Sequence, residues 1–85
     1  MNIIMHRVNT VNQLMSIDTN YGVEIDIRSY KDNLVLTHEP YENGENFDNW
    51  LEYYNHKIVI LNIKEEGLED KVLSLIKKHK VKNYF

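Results

Sequence analysis

Lys57-Ile58-Val59-Ile60-Leu61-Asn62-Ile63-Lys64 is the stretch whose reading decides the fold. A run this apolar leaves no polar face for water, so it expects cover on both sides, as strands of a parallel sheet have. Downstream, Glu65, Glu66, Glu69 and Asp70 lead a helix carrying Val72, Leu73, Leu75 and Ile76, which closes on Lys77, Lys78, His79 and Lys80. That charge order complements the helix dipole. Asn83-Tyr84-Phe85 then reads as the opening of a further strand.

Upstream, three more strands precede the decisive one. Asn2 to His6 reads as a short buried strand, apolar at Ile3, Ile4 and Met5. Thr10 with Gln13 forms a capping box, and Val11, Leu14 and Met15 recur at helical spacing until about Asn20. Gly22 ends that helix, and Val23 to Ile27 alternates strictly, with Glu24 and Asp26 on one face and Val23, Ile25 and Ile27 on the other. Ser29 to Asn33 is a polar turn, and Leu34 to Thr37 a third strand that stops at His38-Glu39-Pro40. After a polar loop at Asn43-Gly44, Phe47, Trp50, Leu51 and Tyr54 fall three and four apart, the mark of a short amphipathic helix whose aromatics pack in the core. Four parallel-type strands alternating with helices give an α/β class, and closed barrels of that kind need about 250 residues. The reading at this level is one domain over residues 1–85, the N-terminal half of a (βα) TIM-type barrel, self-associating through an open sheet edge.

Composition limits the partners. Thirteen acidic against ten basic residues, a net charge of -3, do not supply the basic footprint that holds a nucleic-acid backbone. Cysteine is absent, so no disulfide or thiolate metal site staples the chain. Met1 to Arg7 meets His6 and Arg7 after too few apolar residues for a secretory core or a membrane span, and the chain reads as cytoplasmic.

Chemistry gathers at strand ends. Glu24 and Asp26, at i and i+2 on a strand, project to one side and can share a hard cation such as Mg²⁺ or Ca²⁺ through oxygen. The plain alternative is one wet strand face. His6, His38 and Lys64 each terminate an apolar strand, and in a βα barrel strand C-termini meet at the one mouth where active sites lie. A tight turn centred on Asp32, whether a true hairpin or an extended return, sets Asp26 opposite His38. His56, in a polar loop, and His79, at a helix C-terminus, stay outside the site.

Met5-His6-Arg7, Gly22-Val23-Glu24-Ile25-Asp26-Ile27-Arg28, Lys31-Asp32, Leu34-Val35-Leu36-Thr37-His38-Glu39-Pro40 and Leu61-Asn62-Ile63-Lys64 resemble, in order and spacing, the opening of glycerophosphodiester phosphodiesterases. The resemblance covers nearly the whole chain. It implies a metal-dependent phosphoric diester hydrolase acting on small glycerophosphodiesters or related diesters. It further implies that His6 and His38 are general acid and base, that Glu24 and Asp26 bind the divalent metal, and that Arg7 and Lys64 contact the phosphate. Two positions depart from the family: Val8 stands where glycine usually follows the Arg, and Asn62 stands where another metal-binding Glu is usual. An amide oxygen can coordinate, but without charge, so metal should bind more weakly. Sphingomyelinase D, which His6-Arg7-Val8-Asn9 also resembles, and phosphatidylinositol-specific phospholipase C share this His, Glu-x-Asp, His logic, so the alcohol or lipid cleaved stays open. The alternative of another class is a non-catalytic barrel fragment that binds a phosphorylated metabolite or a protein partner.

Overall fold

The computed structural model describes residues 3–85. In chain order its elements are β1 (Ile4–Met5), α1 (Val11–Met15), β2 (Gly22–Tyr30), β3 (Asn33–Leu36), β4 (Glu45–Asn46), α2 (Phe47–Tyr53), β5 (Val59–Ile63) and α3 (Glu69–Lys78). The five strands form one sheet organised on β2. One edge of β2 pairs in parallel with β5 from Val23↔Val59 to Ile27↔Ile63. The other edge is divided: β1 takes Gly22 and Val23 in parallel, and β3 takes Ile27 to Tyr30 antiparallel. β4 then pairs antiparallel with β3.

This mixed sheet overturns the parallel half-barrel expected from the strand pattern. The reason is local. Tyr30↔Asn33 leaves only Lys31 and Asp32 in the turn, both at positive φ (48° and 67°), which is the two-residue hairpin connection whose twist suits antiparallel strands. A parallel return needs a crossover of a dozen residues or more. The segment read as a five-residue polar turn is therefore mostly strand. The capping box is also only half made: Gln13 N–H donates to Thr10 Oγ1 at 3.1 Å, but the Gln13 side chain accepts from Asn9, and α1 ends at Met15. Asn2, assigned to the first strand, lies outside the described residues. Ile3 and Met5 are exposed rather than buried. Tyr84 extends the sheet by a parallel bridge to Val59, as the chain pattern suggested.

Alternation along β2 sorts its two faces. Val23, Ile25 and Ile27 are fully buried, and with Val59 and the buried residues of all three helices (Leu14, Phe47, Trp50, Leu51, Val72 and Ile76) they form one apolar cluster. Trp50 stacks on Tyr54 at 5.5 Å, and Tyr54 lies 5.8 Å from His56. His56, read as a loop histidine, is buried, with Nε2 2.8 Å from the Ile17 carbonyl. On the opposite face of β2 stand Glu24, Asp26 and Arg28. The register places Ile60, Asn62 and Val35 beside them. β5 is not sealed on both sides: only Val59 is buried and the rest is half-buried. Asn62 interrupts the apolar run on the very face that carries the acids.

At Gly44 the chain passes so close to β3 that a Cβ would sit 2.3 Å from the Leu36 carbonyl oxygen. Glycine is required there by space. That approach sets β4 on β3 and starts α2, where the Asn46 side chain accepts from the Asn49 N–H.

Candidate functional site

The site lies on the polar face of β2, where its outer edge passes from β1 to β3. The chain leaves β1 at His6, turns at Arg7 with φ 54°, and sends the Val8 N–H to the Glu24 carbonyl at 2.8 Å. Val8 is 3% exposed and belongs to the core cluster, so its side chain anchors this corner, while Arg7 takes the left-handed conformation. On the far side of the gap, Thr37 N–H reaches the Asp26 carbonyl at 3.1 Å, and His38 follows just beyond the strand. Asp26 therefore faces Thr37, one residue short of the pairing expected from a turn centred on Asp32. His38 still reaches the carboxylate because it has left the ladder.

Distances define two sub-clusters. His6 Nδ1 stands 3.3 Å from Glu24 Oε1, with the imidazole largely exposed. Asp26, only 2% exposed in its side chain, is ringed by donors. Asn9 Nδ2 donates to Oδ2 at 3.0 Å, Asn62 Nδ2 donates to Oδ1 at 3.2 Å, Lys64 Nζ is 3.7 Å from Oδ1, and His38 Nδ1 is 3.7 Å from Oδ2. Burial of a carboxylate is tolerable only with such partners. His38 Nδ1 is itself buried and without a hydrogen-bond partner, whereas Arg28 Nη2 holds the His38 carbonyl at 3.0 Å. Arg28 thus fixes the backbone of the turn that carries the imidazole. Beside it, the Ser29 hydroxyl donates to Glu65 at 2.6 Å, which with desolvation opposing holds the Glu65 carboxyl below its usual range. Arg28, Ser29, Pro40, Tyr41 and Glu65 line a cavity of about 250 Å³. A second cavity of about 210 Å³ opens at Met5, His6, Arg7 and Gln13. A larger one, about 350 Å³, lies between the hairpin turn and α3 and touches none of these groups.

Of the residues expected in the site, the fold gathers His38, Asn62 and Lys64 on Asp26, and His6 on Glu24. Arg7 is exposed at the corner and makes no ion pair among the described residues. The donor set of Glu24, Asp26 and Asn62 is all oxygen-bearing and on one face, which suits a hard cation in type. In the orientation present, however, Asn62 turns its N–H₂ to Asp26, so its oxygen serves a cation only after the amide turns over. The residues fit a weakly held ion rather than a tight one. Among the described residues, the Asp, Glu and His groups with ligand atoms within 4.8 Å of one another are Asp48, Glu52 and His79, at the contact of α2 with α3. There Lys78 Nζ already lies 3.1 Å from Asp48 Oδ2, and His79 Nε2 2.7 Å from Oδ1, so the cluster is a helix-to-helix ion pair. His79 is therefore explained by Asp48 as well as by its helix end.

Asn9 and Arg28 were not singled out in the sequence. Arg28 continues the i, i+2 series of Glu24 and Asp26 and was findable on that ground. Asn9 carried no signal of its own, because its role depends on a gap in the sheet that only the fold creates. No helix among the described residues is long and apolar enough to cross a membrane. No family model, curated protein or solved structure matches the chain.

Proposed function

We propose that this chain cleaves phosphoric diesters, of the glycerophosphodiester kind or close to it, with His6 and His38 moving the protons. The observation that carries the reading is convergence. Two imidazoles, two carboxylates and an ammonium group, drawn from four separate segments, meet along three residues of β2. One imidazole takes the proton of the attacking hydroxyl as the new P–O bond forms, and the other returns a proton to the departing alkoxide as the old P–O bond breaks. Each ring has a carboxylate within 4 Å, which orients it. Arg7 and Lys64 supply positive charge toward the phosphoryl oxygens. A divalent cation, held by Glu24 and Asp26 with Asn62 turned to present oxygen, would add Lewis-acid stabilisation of that charge.

The test is hydrolysis of glycerophosphocholine and bis(4-nitrophenyl) phosphate by the full chain, with and without Mg²⁺ or Ca²⁺. His6→Ala and His38→Ala should each lower kcat by roughly 10²–10⁴-fold. Wild-type rates in either variant would end the assignment. One observation favours a second reading, binding of a phosphorylated ligand without turnover: both oxygens of Asp26 are already engaged by the side-chain amides of Asn9 and Asn62. That reading predicts phosphate-ester binding by calorimetry with no hydrolysis at any metal concentration.

A further inference from the structure

We infer that Asn9 is a positioning residue of this site, a side-chain clasp that fixes Asp26 where β2 changes neighbours; its bearing on turnover rests on the proton-transfer reading above. β1 releases the outer edge of β2 after Val23, and β3 takes it up at Ile27. In the gap, Glu24 and Asp26 keep their carbonyls paired to the N–H groups of Val8 and Thr37, but the Asp26 N–H has no strand to meet. Asn9 Oδ1 accepts it at 2.9 Å, and Asn9 Nδ2 donates to Asp26 Oδ2 at 3.0 Å. The amide orientation follows from chemistry alone. A backbone N–H only donates and an ionised carboxylate only accepts, so oxygen must face the first and nitrogen the second.

A single primary amide thereby replaces the missing ladder bond and aims the carboxylate. With Oδ2 held by Asn9, Oδ1 is left to Asn62 and Lys64. Asn9 is in turn held by its own N–H, which donates to Gln13 Oε1 at 3.0 Å at the start of α1. The corner from His6 to Asn9 and the His38 turn both reach this one carboxylate. Few side chains could substitute. Ala offers neither group, Asp offers the acceptor but sets a second carboxylate against Asp26, and Leu would fill the space without pairing either.

The experiment compares Asn9→Ala and Asn9→Asp with wild type in the full chain, by amide hydrogen exchange and by kinetics on bis(4-nitrophenyl) phosphate. In Asn9→Ala the Asp26 amide should exchange roughly tenfold faster or more, while the amides of Ile25 and Val59 keep their protection. Asn9→Asp should keep Asp26 protected, because the acceptor remains. Both variants should lose roughly tenfold or more in kcat with KM little changed, the signature of a group lost from the transition state rather than from binding. Unchanged exchange at Asp26 in Asn9→Ala would overturn the clasp. Retained kcat in Asn9→Asp would overturn the orienting role, and so would a uniform loss of protection across the sheet, which marks general destabilisation. A wild type without turnover would remove the phosphodiesterase reading, and the exchange data would still decide the clasp.

Discussion

Replacing Asn62 with an aspartate should make the stability of this protein depend on divalent metal. Asn62 Nδ2 now donates to Asp26 Oδ1 at 3.2 Å, so the substitution exchanges a hydrogen bond for two carboxylates at about that separation. With an effective dielectric constant of about 20, like charges so placed repel by roughly 5 kcal/mol. Lys64 Nζ, 3.7 Å from Oδ1, offsets part of this, leaving an expected loss of about 2–4 kcal/mol without metal. A cation held between Glu24, Asp26 and the introduced carboxylate converts the repulsion into ligation. At a concentration a hundred times its Kd it contributes about 2.7 kcal/mol, which for a domain of this size raises Tm by roughly 10–20 °C. Thermal melts of Asn62→Asp in millimolar MgCl₂ or CaCl₂ against EDTA read the difference directly, with no appeal to activity. The response should vanish when Glu24→Gln is added. A variant whose melting is indifferent to both ions, or which is more stable than wild type in EDTA, would refute the placement of the three groups around one cation site.

Gly44→Ala should cost about 1–3 kcal/mol, because its Cβ would fall 2.3 Å from the Leu36 carbonyl oxygen and the β3–β4 contact must open; an unaltered Tm would show that the approach is looser than this. Burial pushes the Tyr54 hydroxyl up to about 12 from its ordinary 10.0, so the protein should lose stability as pH rises from the unfolded value through the folded one, and Tyr54→Phe should flatten that loss in alkaline melts. Hydrogen bonds from His79 and Lys78 hold the Asp48 carboxyl below its ordinary 3.8. The stability this gives is present above that value and fades as pH falls through the folded one. The Tm gap between wild type and Asp48→Asn should therefore be small at neutral pH, reflecting the exposed carboxylate, and close in acid.

Where periodicity was long or backed by chemistry, the elements were readable. The alternation of Val23 to Ile27 fixed which face is buried, and the aromatics of 47–54 marked α2 and its contribution to the core. The apolar run at 58–63 marked β5 as a strand, but its pairing with β2 was not legible there, and the cover on both faces that the run suggested is absent. What failed was the sense of the return through β3. Lys31-Asp32 has no Gly or Asn to advertise a two-residue turn, yet both residues sit in the left-handed region, at a steric cost that the antiparallel ladder and the burial of Leu34, Val35 and Leu36 outweigh. A hairpin signal read from composition alone could not register that exchange. β1 misled for the opposite reason: three apolar residues suggested burial, but a two-residue strand at a sheet edge leaves Ile3 and Met5 in contact with water.

The same misread hairpin is what assembles the site. In an all-parallel arrangement each strand end brings one functional residue to the sheet's rim. Here β2 outlasts β1 and turns straight back, so its outer edge is shared end to end by two neighbours and left briefly unpaired at Asp26. That gap explains why Asp26 is buried among side-chain donors instead of lying in a uniform ladder, and why His38 arrives from a turn rather than from a strand. It also explains the asymmetry of the two imidazoles. His6, on an exposed corner beside half-buried Glu24, is accessible to solvent and to a diffusing alcohol or water. His38, with Nδ1 buried and its carbonyl held by Arg28, is the more tightly held of the pair. Most of these residues are recognisable in the sequence by their positions at strand ends. That Asn9 belongs with them follows only once β2 is known to change partners between Val23 and Ile27.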